Sequence, residues 1–127
     1  FAPDALHPLG GYPGDEDAAR ALFQKLDQDK VKEDFLAAAA MMDSLDSSNG
    51  KLGATGFCWG GGITNFLATH LPSLRAAAPF YGSPPPAEDV ANIKAELLVV
   101  MAADDERINA RWAAYKDALD TIPPITR

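Results

Sequence analysis

The chain has 127 residues, enough for one small domain and too few for two. With 11 basic and 18 acidic side chains its net charge is −7, which argues against nucleic acid or anionic lipid as the main partner, because both need clustered Lys and Arg. One cysteine excludes an internal disulfide and a cysteine-based zinc site, two histidines count against a histidine-rich metal centre, and no apolar run reaches the ~18 residues that span a bilayer. We therefore expect one domain over residues 1–127, without metal or membrane partner, in a reduced cytoplasmic setting.

The first third of the chain predicts a loop followed by two helices. Residues 3–14 are rich in Pro and Gly, which is typical of an irregular surface loop. From Asp15 the apolar residues recur at helical spacing, and Asp29 is the expected N-cap of a second helix that ends at residues 47–50. The opening residues, Phe1 and Ala2, have the character of a strand end.

Strands and helices alternate in the remainder of the chain. Short apolar runs predict strands over residues 51–57, 76–82 and 96–103. A helix opens at Gly60 and ends at Pro72, and a last helix runs from Ile108 to Ile122. The continuous apolar run in the third strand favours a strand covered on both faces. The alternation indicates an α/β fold with three or four mainly parallel strands and flanking helices.

The segment Gly-Phe-Cys-Trp-Gly-Gly, residues 56–61, lies between a predicted strand and a predicted helix. We interpret it as a nucleophile elbow in which Cys58 replaces the usual Ser. Such a turn strains the nucleophile's backbone and needs small neighbours, here Gly56 and Gly60. The start of the following helix would favour a thiolate, and the N–H of Trp59 would donate to a developing oxyanion.

Three alternatives to the elbow exist for this glycine-rich segment. A lone cysteine is more commonly a small buried core residue, and that alternative stays open for Cys58. A phosphate-binding loop needs a Lys after the glycines, and a cysteine phosphatase needs an Arg at the position of Thr64. The order of strand, small-x-Cys-x-small motif and helix favours the elbow.

A hydrolase of this type also needs an acid and a His further along the chain. Asp104 and Asp105 follow the third predicted strand, so both could lie at the carboxyl end of the sheet. Capping of the last helix is the alternative role for these acids. His70 lies 12 residues after Cys58, about 18 Å along a helix, which is too far for catalysis.

Several blocks of the sequence carry a family resemblance. They comprise residues 2–6, 10–14, 56–62, 79–82 and 105–109. In these blocks the chain resembles the dienelactone hydrolase family (carboxymethylenebutenolidases), and the similarity extends to about Leu119. The resemblance implies an α/β-hydrolase fold and hydrolysis of lactones or small esters by a Cys-His-Asp triad, with no metal or organic cofactor.

The resemblance also implies roles for individual residues. Cys58 matches the family nucleophile, and Asp105, rather than Asp104, matches the triad acid. Gly61 belongs to the elbow, and the substrate-contact candidates are His7 and Tyr81. A solvent-exposed loop histidine without such a contact is the alternative for His7. The triad His is absent, because the 22 residues after Asp105 contain no His.

The resemblance therefore implies an internal fragment of a dienelactone hydrolase, cut at both ends. Two other functions stay open, an inactive structural or assembly piece and a thiol redox protein that uses Cys58. Open sheet edges predict self-association, or binding to the remaining segments of the same protein. We also expect Cys58 to be the only strained residue at the carboxyl end of the sheet.

Overall fold

The computed structural model of the chain describes residues 1–123. Helices and strands alternate after an N-terminal loop that contains one short 3-10 helix, His7–Leu9. In chain order the elements are α1 (Glu16–Phe23), α2 (Gln28–Ser44), β1 (Gly53–Phe57), α3 (Trp59–His70), β2 (Ala76–Phe80), a 3-10 helix (Ala87–Asn92), β3 (Glu96–Leu97), α4 (Glu106–Asn109) and α5 (Trp112–Leu119).

The three strands form one parallel sheet in the order β1-β2-β3. Gly53 pairs with Ala76 and Phe57 with Phe80, so β1 and β2 are in register over their whole length. The carboxyl ends of the strands meet at one side of the sheet, which is called the carboxyl edge below. The expected α/β class, with a small parallel sheet and flanking helices, is confirmed.

Three details of the expected helices and strands were wrong. Asp27, not Asp29, caps α2, and its carboxylate accepts from the N–H groups of Asp29 and Lys30 at 3.0 and 3.2 Å. The last helix is two helices separated by Ala110 and Arg111. The strand expected to end at Phe1 pairs with none of the strands formed within residues 1–123.

The third strand is much shorter than the expected 96–103, and Pro79 in β2 accounts for this. The N–H of Leu98 donates to Ala77 and the N–H of Val100 donates to Pro79, both at 3.0 Å. In this parallel ladder the return bond to the Leu98 carbonyl would come from residue 79, and proline has no N–H. Regular pairing therefore stops at Leu97, and a single bridge between Phe80 and Val100 continues it.

The helices that pack on the sheet cover one of its faces. On that face Ala77 and Pro79 of β2 are buried, and α3 supplies core residues such as Ile63, Leu67 and Ala68. The opposite face, called the outer face, is formed by Thr55, Phe57, Ala76, Ala78 and Leu98. Phe57 is 58% exposed and Leu98 62% exposed. The expectation of a third strand covered on both faces is therefore wrong for the described residues.

A buried polar chain ties α5 to α3 and to the loop after β2. The Tyr115 hydroxyl donates to Asn65 Oδ1 at 3.1 Å, and Asn65 Nδ2 donates to the Ser83 carbonyl at 3.0 Å. Burial raises the pKa of Tyr115 to about 12. Both halves of the Asn65 amide are thereby satisfied, as a buried amide requires.

Replacing Tyr115 with Phe tests this network. Loss of the hydroxyl leaves Asn65 Oδ1 without a donor, which should lower the free energy of unfolding by about 1–2 kcal/mol at pH 7. Because the folded-state pKa lies above the ordinary value of about 10, Tyr115 stabilises the fold below pH 10 and loses that contribution as pH rises from about 10 to 12.

Urea unfolding from pH 7 to pH 11 measures both effects, with Tyr12→Phe at an exposed tyrosine as the matched control. As the pH rises, the free energy of unfolding should fall less for Tyr115→Phe than for Tyr12→Phe. An identical decline in the two variants would contradict the assignment.

Candidate functional site

Cys58 occupies the sharp turn between β1 and α3. Its backbone has φ 53° and ψ −116°, a conformation that non-glycine residues rarely adopt. Its N–H donates to the Phe80 carbonyl at 3.0 Å, and its carbonyl accepts from the N–H of Gly62 at 3.2 Å. The side chain is exposed, unlike that of a core cysteine. The turn thus has the strained backbone and the accessible sulfur that an elbow requires.

Tyr81 is a second strained residue at the carboxyl edge, with φ 38°. The expectation that Cys58 alone would be strained there is wrong. The Tyr81 N–H donates to Val100 at 2.7 Å, and its ring centroid lies 6.3 Å from that of Phe57. With 37% of its surface exposed, Tyr81 forms part of the rim next to the turn of Cys58.

Glycines allow α3 to approach the strand ends closely. A Cβ atom on Gly56 would lie 2.3 Å from the Gly60 carbonyl oxygen, and one on Gly61 would lie 2.5 Å from the Phe80 carbonyl oxygen. A Cβ atom on Gly60 itself would meet no atom within 4 Å, so the expected need for a small side chain at Gly60 is wrong. Gly60 contributes only its backbone atoms, and Gly56 is the position at which a larger side chain would not fit.

Gly82 completes this approach, and its role was missed from the sequence. A Cβ atom there would lie 2.2 Å from the Gly61 carbonyl carbon, so the loop after β2 rests directly on the first turn of α3. The only available signal was its place in the Pro-Phe-Tyr-Gly block that ends the second strand.

The first turn of α3 presents free backbone donors beside Cys58. The bond from Gly62 N–H to the Cys58 carbonyl is the first of the helix, and no side chain caps its start. The N–H groups of residues 59–61 therefore have no partner within the helix, and the helix dipole adds partial positive charge there. Such a terminus favours an oxyanion that forms beside it.

The Trp59 ring points away from this terminus and fixes its position. Its Nε1 donates to Gln28 Oε1 at 3.2 Å, and the ring makes edge-to-face contacts with Phe23 and Phe35 at centroid distances of 5.0 and 5.9 Å. Helices α1 and α2 thus hold the start of α3, while the backbone N–H of Trp59 stays available.

Asp105 lies in the loop after the third strand and caps α4. Its Oδ1 accepts from the N–H of Ile108 at 3.1 Å, so the capping role considered for these acids is present. Asp105 is half-buried, whereas Asp104 is exposed. Because the strands are parallel and Phe80 bridges Val100, Cys58 and Asp105 both follow strands at the carboxyl edge, with one strand between theirs.

The two histidines of the chain take no part in the hydrogen bonds described for Cys58 and Asp105. His70 ends α3, stacks on Phe66 with ring centroids 4.2 Å apart, and places Nδ1 2.8 Å from the Thr69 hydroxyl. His7 is exposed in the N-terminal loop, and its side chain makes no hydrogen bond within residues 1–123. Neither histidine is hydrogen-bonded to Cys58 or Asp105.

The described surface also carries grooves that reach Trp59 and Gly60 beside the turn of Cys58. Three grooves of about 420, 520 and 430 Å³ run along the described surface, and neither Cys58 nor Asp105 lines any of them. Nowhere in residues 1–123 do three His, Cys, Asp or Glu side chains gather in a way that could hold a metal ion. None of the helices in this range has both the length and the apolar character needed to cross a bilayer.

The contrast between Gly56 and Gly60 gives a matched pair of variants. Gly56→Ala forces a methyl group against the backbone of α3 and should destabilise the protein by about 3 kcal/mol or more. Gly60→Ala meets open space in a helix and should leave stability unchanged or raise it by up to about 1 kcal/mol. Urea unfolding of both variants measures this, and equal destabilisation would contradict the packing described.

The comparisons with known proteins agree with this geometry. The profile of the dienelactone hydrolase family matches residues 1–120. The chain is 35% identical over 115 residues to "Protein usf" of Aquifex pyrophilus. The aligned region covers 86% of this chain and 49% of that protein. It is 40% identical over 55 residues to the carboxymethylenebutenolidase homolog of Rattus norvegicus, covering 43% of this chain and 22% of that protein.

A solved structure also matches. The crystal structure of a protein described as a putative dienelactone hydrolase from Klebsiella pneumoniae superposes with a TM-score of 0.66 at 28% identity, over 80% of this chain and 48% of that one. The chain thus spans about half the length, or less, of these relatives. With its fold, its Cys58 turn and a family match over nearly all of its residues, the chain belongs to the dienelactone hydrolase family.

Proposed function

We propose that this chain supplies the nucleophile and the acid of a hydrolase that cleaves lactones or small esters. The observation that carries the proposal is the exposed Cys58 on its strained turn, at the uncapped start of α3, with Asp105 at the same edge of the sheet. Membership of a hydrolase family supports the reaction class.

The geometry suggests the following covalent route. The Cys58 thiolate attacks the carbonyl carbon of the ester, and the N–H of Trp59 donates to the oxyanion that forms. The carbon–oxygen bond to the leaving group breaks, the alkoxide takes a proton from an imidazolium, and a thioester on Cys58 remains. Water, deprotonated by the same imidazole, then hydrolyses the thioester and releases the acid.

Neither histidine of the chain is hydrogen-bonded to Cys58 or Asp105, since His70 ends α3 and His7 lies in the N-terminal loop. Asp105 Oδ1 already accepts from Ile108, so Oδ2 is the oxygen that would orient an imidazole. Strands β1 and β3 are two strand spacings apart, about 9.6 Å, a separation of the size that one imidazole ring between two hydrogen-bonded side chains would span. We infer that the triad His comes from outside this sequence.

Two residues are proposed to contact the substrate. Tyr81 is the stronger of the two, because its strained backbone and exposed ring lie on the rim beside Cys58. His7 is exposed in the N-terminal loop and is proposed only as a contact at the mouth of the site.

The proposed route predicts acylation without turnover. Phenyl acetate should acetylate Cys58 once per chain, and added imidazole should convert this into slow turnover by replacing the absent His. Mass spectrometry of the intact chain and phenol release measure the two steps. Cys58→Ala should abolish the acetylation and lower phenol release to the rate of imidazole in buffer alone, and Asp105→Asn should lower only the imidazole-dependent step above that rate, by about tenfold or more.

Thiol redox chemistry is the second candidate function, favoured by the exposure of Cys58. Its mark would be a sulfenate or mixed disulfide on Cys58 after dilute peroxide, with no acetylation by the ester. Acetylation of Cys58 with no imidazole-dependent turnover, or with turnover that Asp105→Asn leaves unchanged, would reduce the chain to a structural piece with a reactive thiol.

We also propose that the chain self-associates through the outer face and the unpaired edge of β1. Within residues 1–123, β1 pairs with β2 alone, and the outer face exposes Phe57 and Leu98. An open apolar sheet is a site of pairing between chains, and few soluble monomers leave one exposed.

Sedimentation equilibrium tests this proposal. The chain should sediment as a dimer or larger species, and Leu98→Lys on the outer face should shift it toward monomer. Leu45→Lys, at an exposed leucine that follows α2, is the matched control and should leave the distribution unchanged. A compact 13.5 kDa monomer for the unmodified chain would contradict the proposal.

A further inference from the structure

We propose that Asn109 is a positioning residue that shapes the loop of Asp105. This inference rests on the proposed function, in which the carboxylate of Asp105 orients an imidazole. Asn109 is the last residue of α4 and is half-buried beneath that loop.

The Asn109 side chain joins the two ends of the loop. Its Nδ2 donates to the Ala102 carbonyl at 2.8 Å and to the Ala103 carbonyl at 3.2 Å. Its backbone N–H donates to the Asp105 carbonyl at 2.8 Å. Asn109 therefore holds the chain at two places, before Asp105 through its side-chain amide and at Asp105 through its backbone N–H. The amide spans the turn that directs the carboxylate.

The unused half of the amide supports this role. Asn109 Oδ1 is buried and has no hydrogen-bond partner within residues 1–123. A buried acceptor without a donor costs free energy, and an apolar side chain of similar size would avoid that cost. The two N–H groups of the amide, which an apolar residue lacks, are the feature that justifies an asparagine at this place.

The position of Asp105 Oδ2 then depends on Asn109. The N–H of Ile108 occupies Oδ1, so rotation of the carboxylate is already limited and the path of the loop sets where Oδ2 points. Without the bonds to Ala102 and Ala103 the loop can relax, and Oδ2 moves relative to Cys58. A displacement of about 1 Å is enough to reduce a positioned reaction by up to 100-fold.

The test uses Asn109→Asp, which keeps the shape of the side chain and removes both donors, and Asn109→Ala, which adds no charge. The matched control is Asn92→Asp, the same change at an exposed asparagine in the second 3-10 helix. Hydrolysis of phenyl acetate is measured against imidazole concentration, together with the rate at which iodoacetamide alkylates Cys58.

Both Asn109 variants should need about tenfold more imidazole for half-maximal turnover, while the alkylation rate of Cys58 stays unchanged. The Asn92 variant should match the unmodified chain in both measurements. An unchanged imidazole dependence in both Asn109 variants would overturn the inference while the proposed function stands. An equal loss of turnover and of Cys58 alkylation would also overturn it, because it would show that the substitution disturbs the cysteine turn itself and not the loop of Asp105 alone.

Hydrogen exchange tests the positioning role of Asn109 independently of catalysis. The Ile108 amide should exchange faster in both Asn109 variants than in the unmodified chain, while the buried amide of Leu67 in α3 keeps its rate. If the unmodified chain shows no turnover with imidazole, the proposed function is wrong, and an unchanged Ile108 rate would overturn the positioning role as well.

Discussion

Helix α3 starts so close to the ends of β1 and β2 that a single methyl group on the facing glycines would not fit between them. Gly56 faces the Gly60 carbonyl, and Gly61 and Gly82 touch backbone to backbone. This contact places Cys58 in a strained turn, because the chain must reverse within one residue between the strand and the helix. The exposed sulfur, the uncapped helix terminus and the strained Tyr81 beside them all depend on it.

The acid depends on the same packing through the sheet. Tyr81 bonds to Val100, so the strand end that borders the cysteine turn also fixes the start of the segment that carries Asp105. Beyond Val100 the strand pairing stops, and hydrogen bonds from the Asn109 side chain to the backbone of Ala102 and Ala103 hold the chain in place. Regular pairing thus brings the two side chains proposed to be catalytic to one edge of the sheet, and the bonds from Asn109 are proposed to set the direction of Asp105.

Sequence reasoning predicted the fold class and the turn at Cys58 better than it predicted the boundaries of the strands and helices. The α/β alternation, the turn at Cys58 and the acid loop at Asp105 are local patterns of apolar spacing and small residues, and such patterns can be recognised in one chain. The short third strand could not, since its limit is a missing N–H on Pro79 of the neighbouring strand. The role of Gly82 was hidden for the same reason, because its partner Gly61 lies 21 positions earlier in the chain.

The most direct measurement of the central claim is the distance between Cys58 Sγ and the nearer carboxylate oxygen of Asp105, in a crystal of this chain grown with imidazole. An imidazole that bridges the two side chains makes a hydrogen bond at each end, so the account predicts roughly 6–9 Å with the ring bound between them. A carboxylate directed toward the opposite edge of the sheet, or side chains too far apart for one ring to bridge, would contradict it.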